Sequence, residues 1–159
     1  MNSESIRSLR REGKHVEARD LAIELARSLP LDAEVQFEAA CVHDFLGQES
    51  DAVPYYRAAM AGKLAPEQLR SAYLGLGSTY RVLGRYEQSE TTLAEGLARF
   101  PDANEMKVFI AMAQYNRGKA KQAVEALLSL LAETSGDEAV RKYQTAIAFY
   151  AKDVDKSWP

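Results

Sequence analysis

Apolar residues recur along the chain at every third or fourth position, in paired blocks separated by a glycine. Tyr73, Leu76, Gly77, Tyr80 and Leu83 form one stripe, and Leu93, Leu97 and Phe100 follow on the far side of Gly84. Val108, Ala111, Met112 and Tyr115 form another, followed beyond Gly118 by Val124, Leu127, Leu128 and Leu131. Such spacing places side chains on one face of a helical turn, whereas a strand would alternate at every second residue. Nothing in the sequence reads as a strand. The pattern predicts an all-α chain with helices near residues 3–12, 15–28, 33–46, 50–62, 67–83, 86–99, 103–117, 120–134 and 138–152. Asp32, Asp102 and Asp137 are expected N-caps, because a short carboxylate can accept the free N–H groups of a first turn. Pro66 suits a first turn, and the same restriction on Pro54 sets the start of the fourth helix near Ser50.

Gly13, Gly47, Gly84 and Gly118 are 34, 37 and 34 residues apart, and five residues beyond each stands a small residue: Ala18, Ala52, Ser89 and Ala123. Each glycine falls where one helix must stop, and glycine enters the left-handed conformation of a helix C-cap without a Cβ penalty. Helices joined by about three residues pack antiparallel, and small residues at Ala18, Ala40, Ala52, Gly77, Ala111 and Ala123 let their backbones approach. The three extra residues between the second and third glycines are assigned to the "GKLAPE" connection, where length is tolerated.

A 34-residue helix–turn–helix period resembles the tetratricopeptide repeat. The third unit carries the resemblance best, with Tyr73-x2-Leu76-Gly77-x2-Tyr80, then Ser89-x3-Leu93, then Pro101. The fourth keeps Ile110-Ala111, Gly118, Ala123 and Leu127 but has Gln114 for the tyrosine and Ser135 for the proline. The stretches "LGSTYRVLGRYEQSETTLAEGLARFPD" and "LLSLLAETSGDEAVRKYQTAIAFYAKDVD" look more specifically like a group of small stand-alone bacterial tetratricopeptide proteins with no assigned reaction, for which dimers are suspected. The resemblance implies a single domain over residues 1–159 folded as a right-handed superhelix. Its repeats would span about 1–32, 33–69, 70–103 and 104–137, with a capping helix at 138–152 covering the fourth repeat and a polar tail at 153–159.

Charge and candidate chemistry narrow the function. Net charge is −3, which argues against general nucleic-acid binding. The basic cluster Arg7, Arg10, Arg11, Lys14 and Arg19 is interspersed with Glu12, Glu17 and Asp20 and reads as a solvated helix face. No apolar run approaches the roughly 18 residues that span a bilayer, and "MNSESIRSLRRE" lacks the apolar core of a secretory signal. Cys41 is the only cysteine, which fits a reducing cytoplasm. Gly75-Leu76-Gly77-Ser78-Thr79-Tyr80 has a tyrosine where a dinucleotide fingerprint needs its third glycine, and no phosphate-loop motif occurs. His15 and His43 are the only histidines, fall in different repeats, and have no ligand-spaced partner, so neither a metal nor a catalytic site is expected. His43 and Cys41 read as packing residues. The expectation is a non-enzymatic protein with no cofactor.

In a superhelix of paired helices, the first helix of each repeat lines the concave face. The stripe expected to face it is Glu34, Phe37, Cys41 and Asp44 in the second repeat; Ser71, Leu74, Ser78 and Arg81 in the third; and Glu105, Val108, Met112 and Tyr115 in the fourth, continued by Lys142 and Phe149. Phe37, Cys41, Leu74, Ser78, Arg81, Val108, Met112 and Tyr115 are the candidate groove residues, suited to a peptide or protein partner with spaced apolar anchors. Packing between repeats or within a homodimer is the competing use of the same surface. Gly75 is placed on the groove side, leaving room for a partner's backbone. The Lys and Asn clamp by which some tetratricopeptide domains hold chaperone C-termini is absent, its positions carrying Phe37, Cys41, Gly75, Glu105 and Phe109.

Overall fold

The computed structural model describes residues 1–157; the last two residues of the expected polar tail, Trp158 and Pro159, lie outside the described residues. Ten helices follow in chain order: α1 (Ser3–Arg11), α2 (His15–Ser28), α3 (Ala33–Phe45), α4 (Glu49–Ala61), α5 (Pro66–Val82), α6 (Tyr86–Arg99), α7 (Asn104–Asn116), α8 (Ala120–Thr134), α9 (Glu138–Lys142) and α10 (Gln144–Tyr150). Among the described residues there is no strand. From α1 to α8 each helix packs on the next, and α10 packs on α8. The result is a helical-repeat solenoid.

The turn within each pair is the same device used four times. Gly13, Gly47, Gly84 and Gly118 have φ between 70° and 78°. Each donates its N–H three residues back, and the residue after it donates five back, as in Gly84 to Arg81 and Arg85 to Tyr80. These two bonds satisfy carbonyls that a helix end leaves open, and only a residue at ease with positive φ can make both. The small residues five positions later are fully or almost fully buried. Ser89, the one hydroxyl among them, donates to the Gly77 carbonyl at 2.7 Å, so its burial leaves no unpaired donor.

The apolar stripes close into clusters that follow one another along the stack. Ile6, Ala22, Leu25, Val35 and Val42 join the first two pairs. Phe37, Tyr56, Leu76 and Tyr80 join the second and third, and Tyr73, Leu93, Ala103 and Met106 join the third and fourth. Ion pairs reinforce two of these junctions. Arg70 on α5 donates to Glu105 at 2.6 and 2.8 Å and to Asp102 at 2.9 Å. Glu38 on α3 is buried and receives Arg7 at 2.9 Å, as well as Arg10, from α1.

Four local expectations need correction. Pro54 lies inside α4, well past its first turn. It is exposed on the outer side, where the Ser50 carbonyl that loses its helical partner can turn to water. Asp102 is not a cap; Ala103 holds that position and the Asp102 carboxylate instead pairs with Arg70. The three extra residues do not lengthen a loop. Four residues join α4 to α5, as they join α2 to α3 and α6 to α7, and the insertion is taken up as an added first turn of α5, which has 17 residues against 13 in α3 and α7. Finally, the capping helix is broken at Tyr143 and does not cover the apolar face of the fourth pair: Val124, Leu127 and Leu131 remain exposed.

Candidate functional site

The eight candidate groove residues do not share one environment. Phe37 is only 8% exposed and belongs to the core between the second and third pairs, so it offers a ligand almost no surface. The same cluster holds the small residues Ala40, Ala52 and Ala72, beside which a large ring keeps the core filled. Cys41 is half-buried against the same cluster, and burial pushes its thiol up to about 11, which removes any nucleophilic thiolate at neutral pH. Leu74 is half-buried and packs on the cluster around Tyr73 and Leu93. Ser78 and Val108 are also half-buried.

Arg81, Met112 and Tyr115 are brought together. They line one side of a depression of about 390 Å3 whose other wall is Ala123, Val124 and Leu127 of α8. The depression is mostly apolar, and Tyr115 is 66% exposed at its edge. Arg81 is half-buried in this lining; its Nε is buried and has no hydrogen-bond partner, and Arg81 forms no ion pair among the described residues. An unpaired cationic donor beside apolar side chains fits a partner that brings a carboxylate with its own apolar surface.

Val124, Leu127 and Leu131 are the part of this surface that sequence reasoning missed as a binding element. Their helical spacing is plain in the sequence, where a capping helix at 138–152 is the expected cover. The segment after α10 is tied to another part of α8. Lys121 pairs with Asp153 and, at 3.1 Å, with Asp155, and Glu125 accepts the Val154 N–H at 3.2 Å. Lys121 and Glu125, with the more buried Leu128 and Ala132, form a different stripe of α8 from Val124, Leu127 and Leu131.

Gly75 does not open onto a groove. A Cβ there would lie 2.4 Å from the Tyr56 hydroxyl and 2.5 Å from its Cζ, so the absent side chain makes room for the ring of Tyr56 from the preceding pair. Tyr56 donates to Asp44 at 3.2 Å, and Thr79 donates to the other Asp44 oxygen at 3.0 Å. Burial raises the Asp44 carboxyl above its ordinary value, against the opposing effect of these two donors. Asp44 is thereby a latch across the junction of the second and third pairs. Gly77 behaves as the sequence indicates: a Cβ there would lie 2.4 Å from Leu93 Cγ.

The remaining chemistry is structural. His43 is buried, with Nδ1 2.7 Å from the Ala39 carbonyl, and His15 lies over Phe45 with ring centroids 4.0 Å apart. Among the described residues no group of three His, Cys, Asp or Glu side chains is placed to hold a metal ion. Every member of the N-terminal basic cluster is ion-paired within the chain: Arg7 and Arg10 with Glu38, Arg11 with Glu4, Lys14 with Glu12 and Arg19 with Asp20. Among the described residues no helix is long and apolar enough to cross a membrane.

A second depression, of about 320 Å3, includes Leu97, Lys107, Ile110 and Gln114 in its lining. Lys107 and Gln114 stand where the third pair has Tyr73 and Tyr80, one 34-residue period earlier. Gln114 donates to Glu90 at 3.3 Å while its Oε1 is buried without a partner.

A family model described as tetratrico peptide repeat matches residues 33–154. No curated protein matches the chain.

Proposed function

Because the chain belongs to the tetratrico peptide repeat family, whose repeats generally mediate contact between proteins, we propose that it is a non-enzymatic interaction module. Its partner surface is the side where Arg81, Met112 and Tyr115 converge. The observation that carries this reading is the apolar depression lined by Arg81, whose guanidinium has no ion pair among the described residues. Leu74, Ser78 and Val108, half-buried on the preceding turns, extend the same side of α5 and α7 for a longer partner. In this reading the chain is one domain of four repeats acting in the cytoplasm, which the single, largely shielded Cys41 supports. The internal pairing of the N-terminal basic cluster favours a protein partner over nucleic acid.

The test is capture from a lysate of the native host, identified by mass spectrometry, with the chain compared against Met112→Ser/Tyr115→Ser. The expected result is a partner retained by the first and lost by the second while the helical spectrum is unchanged. Identical capture by both would overturn the placement of the surface. A second reading, self-association, is favoured by the exposure of Val124, Leu127 and Leu131. Light scattering across a dilution series separates the two, since a monomer at every concentration excludes it.

A further inference from the structure

The repeat supplies its own standard for what should cover α8. Tyr56, Leu93 and Leu127 are equivalent positions on the second helices of successive pairs, separated by 37 and 34 residues. Tyr56 is 3% exposed and Leu93 is 0% exposed, but Leu127 is 40% exposed. In the interior the cover is the first helix of the following pair. Tyr56 lies under Gly75 of α5, and Leu93 shares its cluster with Ala103 and Met106 at the start of α7. Val53 and Met60 flank Tyr56 and are buried and half-buried, whereas their equivalents Val124 and Leu131 are exposed.

Among the described residues, those that follow α8 do not take the place of a fifth such helix. The stripe of α8 that engages the α10 segment through Lys121 and Glu125 has as its counterparts Glu87 and Thr91 on α6, and Ser50 and Pro54 on α4. All four counterparts are exposed, so α10 lies on the outer face of the stack and leaves the inter-repeat seat open. The seat is an apolar surface of Val124, Leu127 and Leu131 at helical spacing, with Arg81 as the unpaired charged residue in the lining of its depression.

We propose that the seat formed by α7 and α8 accepts an amphipathic helix from another protein, docked as the first helix of a fifth repeat. Apolar residues of that helix at i, i+3 or i+4, and i+7 cover Val124, Leu127 and Leu131, and an acidic side chain at its edge meets Arg81. The proposal rests on the interaction-module reading but names the end of the stack, and not the concave stripe, as the main contact.

The probe is a fluorescein-labelled designed helix of about 16 residues, with leucines at that spacing and glutamates flanking them, read by anisotropy against the full chain. A matched helix with lysines in place of the glutamates is expected to bind about tenfold more weakly. Arg81→Gln should bring the two helices within about twofold of each other. Leu127→Glu should abolish binding of both while circular dichroism holds and the melting midpoint falls by only a few degrees, because Leu127 is 40% exposed where its equivalent Leu93 is fully buried. No binding of the glutamate helix, or binding untouched by Leu127→Glu, overturns the proposal. So does a dimer in sedimentation velocity that Leu127→Glu dissolves, since a second copy would then own the seat. A native partner captured equally by the chain and by Leu127→Glu would overturn the seat alone and leave the interaction-module reading standing.

Discussion

Replacing Gly75 with alanine places a methyl group 2.4 Å from the hydroxyl, 2.5 Å from Cζ and 2.9 Å from Cε1 of Tyr56. Ordinary contacts between such atoms begin near 3.5 Å, so the overlap is roughly 1 Å. Tyr56 cannot swing clear, because it is buried among Phe37, Ala40, Ala72 and Leu76 and tied to Asp44 at 3.2 Å. Overpacking of this kind costs about 1–3 kcal/mol, and a displaced Tyr56 loses about 1 kcal/mol with its hydrogen bond. Against that, alanine in a helix interior is favoured over glycine by about 1 kcal/mol. The net expectation is destabilisation by about 1–3 kcal/mol, a fall of roughly 3–9 °C in the melting midpoint for a chain of this length. Circular dichroism melts measure it, and the Tyr56→Leu background supplies the decisive comparison. There the ring is gone, as at Leu93 one repeat later, and Gly75→Ala should stabilise by up to about 1 kcal/mol. A Gly75→Ala protein as stable as the parent, or a substitution with the same sign in both backgrounds, would show that the glycine is not there to seat the ring.

Gly84→Ala meets no atom within 4 Å and suffers only from φ of +72°, so it should cost about 1 kcal/mol, and Gly84→Asn clearly less, in urea melts. Leu93→Ala should cost about 2–5 kcal/mol, while Leu127→Ala at the equivalent position stays within about 0.5–1 kcal/mol; similar losses would mean that α8 is covered. Asp102 and Glu105 are both held below their ordinary values of 3.8 and 4.5 by hydrogen bonds from Arg70. A depressed folded-state value gives stability that is full above the unfolded value and lost as pH falls through the folded one. The melting-point difference between the chain and Arg70→Gln should therefore be constant above about pH 5 and shrink toward pH 3; a difference that grows in acid refutes the assignment. Cys41, pushed up to about 11 from an ordinary 9.0, should react with iodoacetamide at pH 8 about a hundredfold more slowly than an exposed thiol. Unhindered alkylation would contradict its burial.

What the sequence made legible was whatever repeats. The glycines at a near-constant period carry the turn geometry with them, and the small residues five positions later locate the closest helix approach, so element order and pairing follow from spacing alone. What it concealed were side chains whose surroundings come from the neighbouring repeat. Phe37 and Met112 lie on the same stripe in the second and fourth repeats, yet one is buried in a cluster with three alanines and the other stands beside an open seat. Gly75 is explained only by Tyr56, nineteen residues upstream on another helix. The break at Tyr143 contains neither proline nor glycine, and nothing in its local sequence marks it. The segment after α10 is tied to α8 by Lys121, Asp153 and Asp155, charges that a periodicity argument passes over as surface.

The open seat and the 320 Å3 depression both involve the fourth pair, and that bears on how a partner would act. In a linear stack each pair draws its stability from its own helix contact and from its neighbours. The fourth pair has an interior neighbour on one side only, and within it Lys107 and Gln114 replace the aromatic residues that fill the third, leaving the 320 Å3 depression. Local opening should therefore be easier in α7 and α8, the helices that carry Met112, Tyr115 and Leu127, than in the second and third pairs. A helix laid over Leu127 would supply the missing neighbour, so its binding free energy would appear in part as ordering of this pair. Substitutions that fill the depression, though remote from the seat, would reduce that ordering cost and tighten binding without touching the partner. Affinity for the end of the stack is thus tied to the packing of the last helix pair.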